Sequence, residues 1–264
     1  MRTLSVDGAR VAYDVRGAGP AVLFLHAFPL HSAMWEAQAA ALAPSHSVVR
    51  MDARGFGGSA RGEGLLSMER IAEDAAFLLR HLGFETAAVC GLSMGGYAAF
   101  ALVRRHPTLL RALVLADTRC VADTAEGRAG RASLAERARR EGSAAVAEEM
   151  LPRLLGETTR RDRPELAARV RDMVLAADPA ALADALAGLA ARADSTSTLR
   201  EIRVPTLVLC GAEDVLSTPA EMGGWAEGIA GARFQEVPAA GHLSNLENAP
   251  AFNAALLPFL ATLA

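Results

Sequence analysis

The chain has 264 residues, of which 52% are hydrophobic and 22% charged, and its formal net charge is −3. That length suits one domain, or one domain with an insertion, and is enough to bury a substantial core. The mild acidic balance argues against nucleic acid or an anionic membrane as partner, and all 27 basic residues are arginine, which excludes a Schiff-base lysine, a lysine-held phosphate loop and a Ser-Lys dyad.

The opening RTLSVDGARVAYDV reads as an antiparallel hairpin that turns at Asp7-Gly8. A buried strand follows at AVLFLH (21–26), then the loop HAFPLHSAMW and a helix over about 32–43. The next strand, HSVVRMD (46–52), leads through DARGFGGS to a helix over 66–82. TAAVCG (86–91) is a strand and 94–106 a helix, with GLSMGG at the corner between them. RALVLAD (111–117) is the following strand. Each strand is short, apolar and bounded by Gly, Pro or Asp, while the helices carry apolar residues at helical spacing.

From 121 to 199 no strand is evident. The stretch is Ala- and Arg-rich, with breaks expected at Gly142, Pro152, Gly156, Pro164 and Pro179. Alternation resumes with PTLVLCG (205–211), a helix over 218–230, the strand RFQEVP (233–238) and a last helix over 248–263. Strands alternating with helices imply an α/β fold with a mostly parallel central sheet and helices on both faces. The expected organisation is a core built from 1–120 and 200–264, with a helical cap, 121–199, inserted in it. Ligands in such sheets bind beyond the carboxyl ends of the strands, where a cap could exclude water. The three cysteines form no CxxC pair, and neither a signal-peptide core nor a run of about 18 apolar residues is present. A cytoplasmic setting is therefore expected, and the sequence leaves open whether the chain forms a homo-oligomer.

Ser93 lies at the strand-to-helix corner, in Gly91-Leu92-Ser93-Met94-Gly95. A tight corner of this kind lifts a serine hydroxyl above the sheet, and glycines on either side let helix and strand approach closely. A serine is a useful nucleophile only beside a base. Of the six histidines, His242 follows the last strand in VPAAGHLSNLENAP and falls at the carboxyl edge of the sheet. An acid must orient it. GAED ends the preceding strand and offers Glu213 and Asp214; Asp214, further into the loop, is the choice, with Glu213 its competitor. Negative charge on the reacting oxygen needs fixed donors. The amide of Met94 at the helix start is one, and the amide of Phe28 in HAFP the other, with Ala27 a weaker candidate; Pro29 has no N–H to give. Asp52 and Arg54 are read as organisers of their loop. Arg119 follows a strand's carboxyl end and is a candidate substrate contact, alternatively an ion-pair partner of Asp117 or Asp123, and Trp35 fits a helical core face and at best reaches a pocket wall as a substrate contact.

The set HAFPL (26–30), DARGFGGS (52–59), GLSMGG (91–96), GAED (211–214) and GHLSNLENAP (241–250) resembles the α/β-hydrolase superfamily across essentially the whole chain. Within it, GLSMGGYAAF and GHLSNLE look like segments of 3-oxoadipate enol-lactone hydrolases and related small esterases, and nearly as much like cofactor-free perhydrolases. Ala27 departs from the commoner glycine. The resemblance implies a serine esterase or lactonase acting on a small-molecule ester or lactone, with the triad Ser93, Asp214 and His242 and no metal or organic cofactor. A perhydrolase using the same triad, a C–C bond hydrolase and a non-catalytic member that binds a ligand or partner are the other readings it leaves.

Overall fold

Asp7 and Gly8 both take positive φ, 45° and 76°. They close a two-residue hairpin between β1 (Arg2–Val6) and β2 (Ala9–Arg16), with Val6 opposite Ala9. Such a turn needs left-handed backbone at both central positions, which Asp tolerates and Gly adopts freely. In this computed structural model, which describes residues 1–263, the hairpin is one end of a single eight-stranded sheet.

The remaining strands are β3 (Ala21–Leu25), β4 (Ser47–Met51), β5 (Ala87–Leu92), β6 (Leu110–Ala116), β7 (Thr206–Gly211) and β8 (Arg233–Val237). Their order is β1-β2-β4-β3-β5-β6-β7-β8. β1 and β2 pair antiparallel, as do β2 and β4; every other pairing is parallel. β3, β4, β5 and β7 are buried along their whole length, which explains their nearly continuous apolar sequences. β8, at the far edge, is exposed except at Val237.

The crossovers supply the helices α1 (Glu36–Leu42), α2 (Met68–His81) and α3 (Met94–Arg105). α3 packs on β3, β5 and β6, and α2 packs on α3. Five helices then run between β6 and β7: α4 (Ala125–Glu141), α5 (Ser143–Leu154), α6 (Glu157–Asp162), α7 (Pro164–Leu175) and α8 (Pro179–Ala190). α9 (Pro219–Ala226), α10 (Ser244–Glu247) and α11 (Ala249–Ala261) complete the chain. Among the described residues, no single helix is long and apolar enough to cross a membrane.

Three local expectations change. The helix expected over 32–43 starts as a 3-10 turn at Ser32–Trp35 before α1. The helix expected to reach 230 stops at Ala226, and Gly228 and Ile229 close tight turns on Trp225 and Ala226. Pro152 does not break its helix: α5 runs through it to Leu154. The missing N–H falls in the last turn, where a single lost bond ends nothing that was not already ending. Pro164 and Pro179 do act at boundaries, each at the first position of its helix, where a proline N–H would have had no partner.

Candidate active site

Ser93 joins β5 to α3 and carries φ 54° and ψ −110°. A non-glycine residue is held in that sparsely populated region only if its surroundings fix it. Here they do. The Ser93 amide donates to Ala116 O (3.0 Å), and its carbonyl accepts from Gly96 N (2.9 Å), Tyr97 N (3.1 Å) and Thr118 Oγ1 (2.9 Å). The flanking glycines are there for close approach. A Cβ on Gly91 would strike the Gly95 backbone, and one on Gly95 would strike the backbone of Leu25 in β3.

The loops after β7 and β8 bring the other two groups to this corner. His242 Nε2 lies 2.8 Å from Ser93 Oγ, and His242 Nδ1 lies 2.8 Å from Asp214 Oδ2. A carboxylate can only accept, so Nδ1 carries the proton and Nε2 presents its lone pair to the serine hydroxyl. Asp214 Oδ1 accepts from Leu216 N (2.7 Å) and Ser217 N (3.1 Å), which leaves Oδ2 aimed at the imidazole. Both Asp214 and His242 are buried. Glu213, the rival acid, turns the other way: its carboxylate accepts from Thr158 N (2.8 Å) and Thr158 Oγ1 (2.5 Å) at the start of α6.

The amide of Phe28 donates to no group among the described residues, whereas that of Ala27 is occupied by Met34 Sδ at 3.2 Å. Met94 is the first residue of α3, so its N–H has no carbonyl within the helix to bond. The loop that carries Phe28 is fixed through His26. Ala53 N donates to His26 Nε2 (2.9 Å), so Nδ1 holds the proton and donates to Ala27 O (2.9 Å). Burial then lowers the His26 pKa from its ordinary 6.5. Asp52 bridges the same region, accepting from Ser32 N and Gly58 N, both at 2.8 Å. Arg54 makes a bidentate pair with buried Asp74, both contacts at 2.7 Å.

A cavity of about 400 Å³ opens above Ser93 and His242. Phe28, Tyr97, Arg119, Leu216 and Ser217 line it from the sheet side; Leu134 of α4, Met150 and Leu154 of α5, and Leu186 and Leu189 of α8 line it from above. Arg119 is therefore where the sequence placed it, but its partner is neither Asp117 nor Asp123. Its Nε donates to Glu221 at 2.6 Å, while Asp123 pairs with Arg131 and Arg192. Trp35 is a correction. It is fully buried between Phe24 and Phe252, with ring centroids at 4.7 and 5.9 Å, and does not line the cavity. A Trp in an apolar turn beneath a sheet packs in the core before it can reach a pocket.

One group was not singled out for the site from sequence. Asp117, at the end of β6, accepts from Gly211 N at 2.7 Å and from the Ser244 hydroxyl. It ties the strand that leads to Asp214 to the segment that follows His242, while its neighbour Thr118 holds Ser93. Burial, and then the nearby Asp214 carboxylate, push its carboxyl well above the usual range. The available signal was the polar pair Asp117-Thr118 closing an apolar strand at the sheet's carboxyl edge. Asp117, Cys210 and Asp214 place possible ligand atoms within 4.8 Å of one another. Each is already engaged, Cys210 as a donor to Ser217 O at 3.0 Å and Asp214 with His242, so the cluster is a hydrogen-bonded knot and not an open donor set.

Residues 20–249 match the model of a family described as alpha/beta hydrolase fold. The chain is 28% identical to 3-oxoadipate enol-lactonase 2 of Acinetobacter baylyi, over 96% of this chain and 94% of that protein. Among solved structures it superposes on a thermophilic esterase from Thermogutta terrifontis, solved with malate bound, with TM-score 0.95 and 41% identity over 99% of this chain and 97% of the other. It superposes on the enol-lactonase from Burkholderia xenovorans with TM-score 0.92 and 32% identity, over 98% and 100%.

Proposed function

Because the chain belongs to the α/β-hydrolase family, we propose that it is a serine hydrolase that cleaves a small carboxylic ester or lactone through an acyl-enzyme. The observation that carries this reading is the unbroken chain Ser93 Oγ, His242 Nε2, His242 Nδ1, Asp214 Oδ2, with both links at 2.8 Å.

In the proposed reaction Ser93 Oγ attacks the carbonyl carbon while His242 Nε2 takes its proton. Asp214 stabilises the resulting imidazolium and keeps the ring in register. The amides of Phe28 and Met94 receive the developing oxyanion, the second helped by the amino-terminal end of α3. His242 then protonates the departing alkoxide. Water enters, gives a proton to His242 and splits the acyl-enzyme, which returns Ser93 to its starting state. The helices α4–α8 act as a cap over the reacting atoms, and Arg119, its Nε held by Glu221, contacts the polar periphery of the substrate.

The test is hydrolysis of p-nitrophenyl acetate and butyrate by the wild type, Ser93→Ala and His242→Ala. Both variants are expected to lose kcat by a factor of about 10³ or more. A Ser93→Ala variant that keeps its rate would overturn the acyl-enzyme. Repeating the wild-type assay with hydrogen peroxide present tells whether peroxide replaces water as acceptor, since a peracid then forms at the expense of the free acid.

A further inference from the structure

Among the described residues, seven buried side-chain polar atoms have no hydrogen-bond partner. Only one of them belongs to a residue that lines the cavity above Ser93, the hydroxyl of Ser217. Ser217 is 1% exposed. Its backbone is fully committed: the amide donates to Asp214 Oδ1 at 3.1 Å and the carbonyl accepts from the Cys210 thiol at 3.0 Å. The loop that holds the acid therefore also fixes Ser217 on the wall beside His242, and leaves the side-chain oxygen as the free polar atom. Polar side chains such as Ser93, Arg119 and His242 line the same cavity, yet none of them bonds the Ser217 hydroxyl.

A buried hydroxyl without a partner is destabilising, because it has given up water for nothing in return. An all-carbon substrate chain entering this cavity would leave that loss in place. A chain with an oxygen at the right place would reverse it. A site built around a polar group discriminates strongly against the analogue that lacks the matching atom. Resting on the serine-hydrolase reading, we propose that the Ser217 hydroxyl is a substrate-binding group, and that the preferred ester or lactone carries a further oxygen, as hydroxyl, ketone or ether, on its acyl or alcohol part.

Isosteric pairs test this, because one oxygen replaces one methylene. On the acyl side the pairs are p-nitrophenyl methoxyacetate with butyrate and 3-methoxypropionate with pentanoate. On the alcohol side the pair is 2-methoxyethyl acetate with butyl acetate. The intrinsic reactivity of each ester cancels when the ratio of kcat/KM within a pair is compared between wild type and Ser217→Ala. The expected result is a ratio that falls about tenfold in Ser217→Ala for at least one pair, which also locates the oxygen. Ser217→Thr, which keeps the hydroxyl, should retain more of the ratio than Ser217→Ala. Ser217→Ala should also melt no lower than wild type, since the hydroxyl it removes bonds nothing in the free protein. Equal losses within every pair, or a clearly lower melting temperature, would overturn the subsite, as either would make the hydroxyl a support for the Asp214 loop. The two readings fail separately. Ser93-dependent turnover with unchanged ratios removes only the subsite, whereas absence of Ser93-dependent turnover removes the hydrolase reading and the subsite with it.

Discussion

Two adjacent carboxylates, Glu213 and Asp214, face opposite duties. Asp214 Oδ2 lies 2.8 Å from His242 Nδ1, while Glu213 bonds Thr158 in α6. The sequence narrowed the acid to this pair by position after a strand and favoured Asp214 as the residue further into the loop, but the contact that turns Glu213 away is with a residue 55 positions distant and was not legible. The corner that carries Ser93 was legible for the opposite reason: Gly-x-Ser-x-Gly is a local geometry, written in five consecutive residues. The assignment makes a direct prediction. Asp214→Asn keeps the size of the side chain but turns a pure acceptor into a group that can donate to Nδ1. The imidazole would then hold its proton on Nε2, facing Ser93. We expect kcat to fall by a factor of about 10³–10⁴ with KM little changed. A loss below tenfold, measured on p-nitrophenyl butyrate, would show that the carboxylate does not set the tautomer.

At the level of a single element, the loop after β3 shows how a neutral histidine can hold backbone in place. His26 Nε2 accepts from Ala53 N, so the bond exists only while that nitrogen is unprotonated. Burial lowers the pKa of His26, and also those of His31 and His46, from 6.5. In the unfolded chain each returns to its ordinary value and binds a proton as the pH drops. The unfolded state then carries more protons than the folded one, so stability falls as pH decreases below about 6.5, by up to ~1.4 kcal/mol per pH unit for the fully buried His26 and by less for the other two. Glu36, held at about 2 by Arg16 and then Arg50, stays ionised through this window and adds no slope there. The melting temperature should therefore drop between pH 7 and 5.5, and His26→Asn should melt lower at pH 7 but with a shallower dependence. Superimposable slopes for the two proteins would refute the role given to His26. None of this was legible from HAFP, since burial and the long-range bond to Ala53 decide the protonation state.

Across the whole molecule, the alternation of strands and helices was readable because each crossover is local in sequence, and so was the strandless stretch between β6 and β7. What the sequence hid is how that stretch is fastened. Gly156 N donates to Glu247 at 2.7 Å, Arg163 Nη1 donates to Glu247 O at 2.7 Å, and the Glu213 carboxylate caps the start of α6 through Thr158. Gly156 and Gly241 press so closely that a Cβ on either would meet the backbone of the other's loop. The helices over the cavity are thus bolted, at this corner, to the same two loops that carry Asp214 and His242. Glu213→Ala separates fastening from chemistry. It removes a charged cap from a helix start, a loss of ~1–2 kcal/mol, and should lower the melting temperature by several degrees. The Ser93-His242-Asp214 chain has no bond to Glu213, so kcat for p-nitrophenyl acetate should stay within about threefold. Selectivity is where the change should show. With α6 released, the upper wall formed by α4, α5 and α8 loses its fixed distance from the triad, and the kcat/KM ratio of octanoate to acetate should shift by threefold or more. If acetate turnover instead collapsed as in Asp214→Asn, Glu213 would be acting on the imidazole after all, and the cap and the acid would have to be treated as a single device.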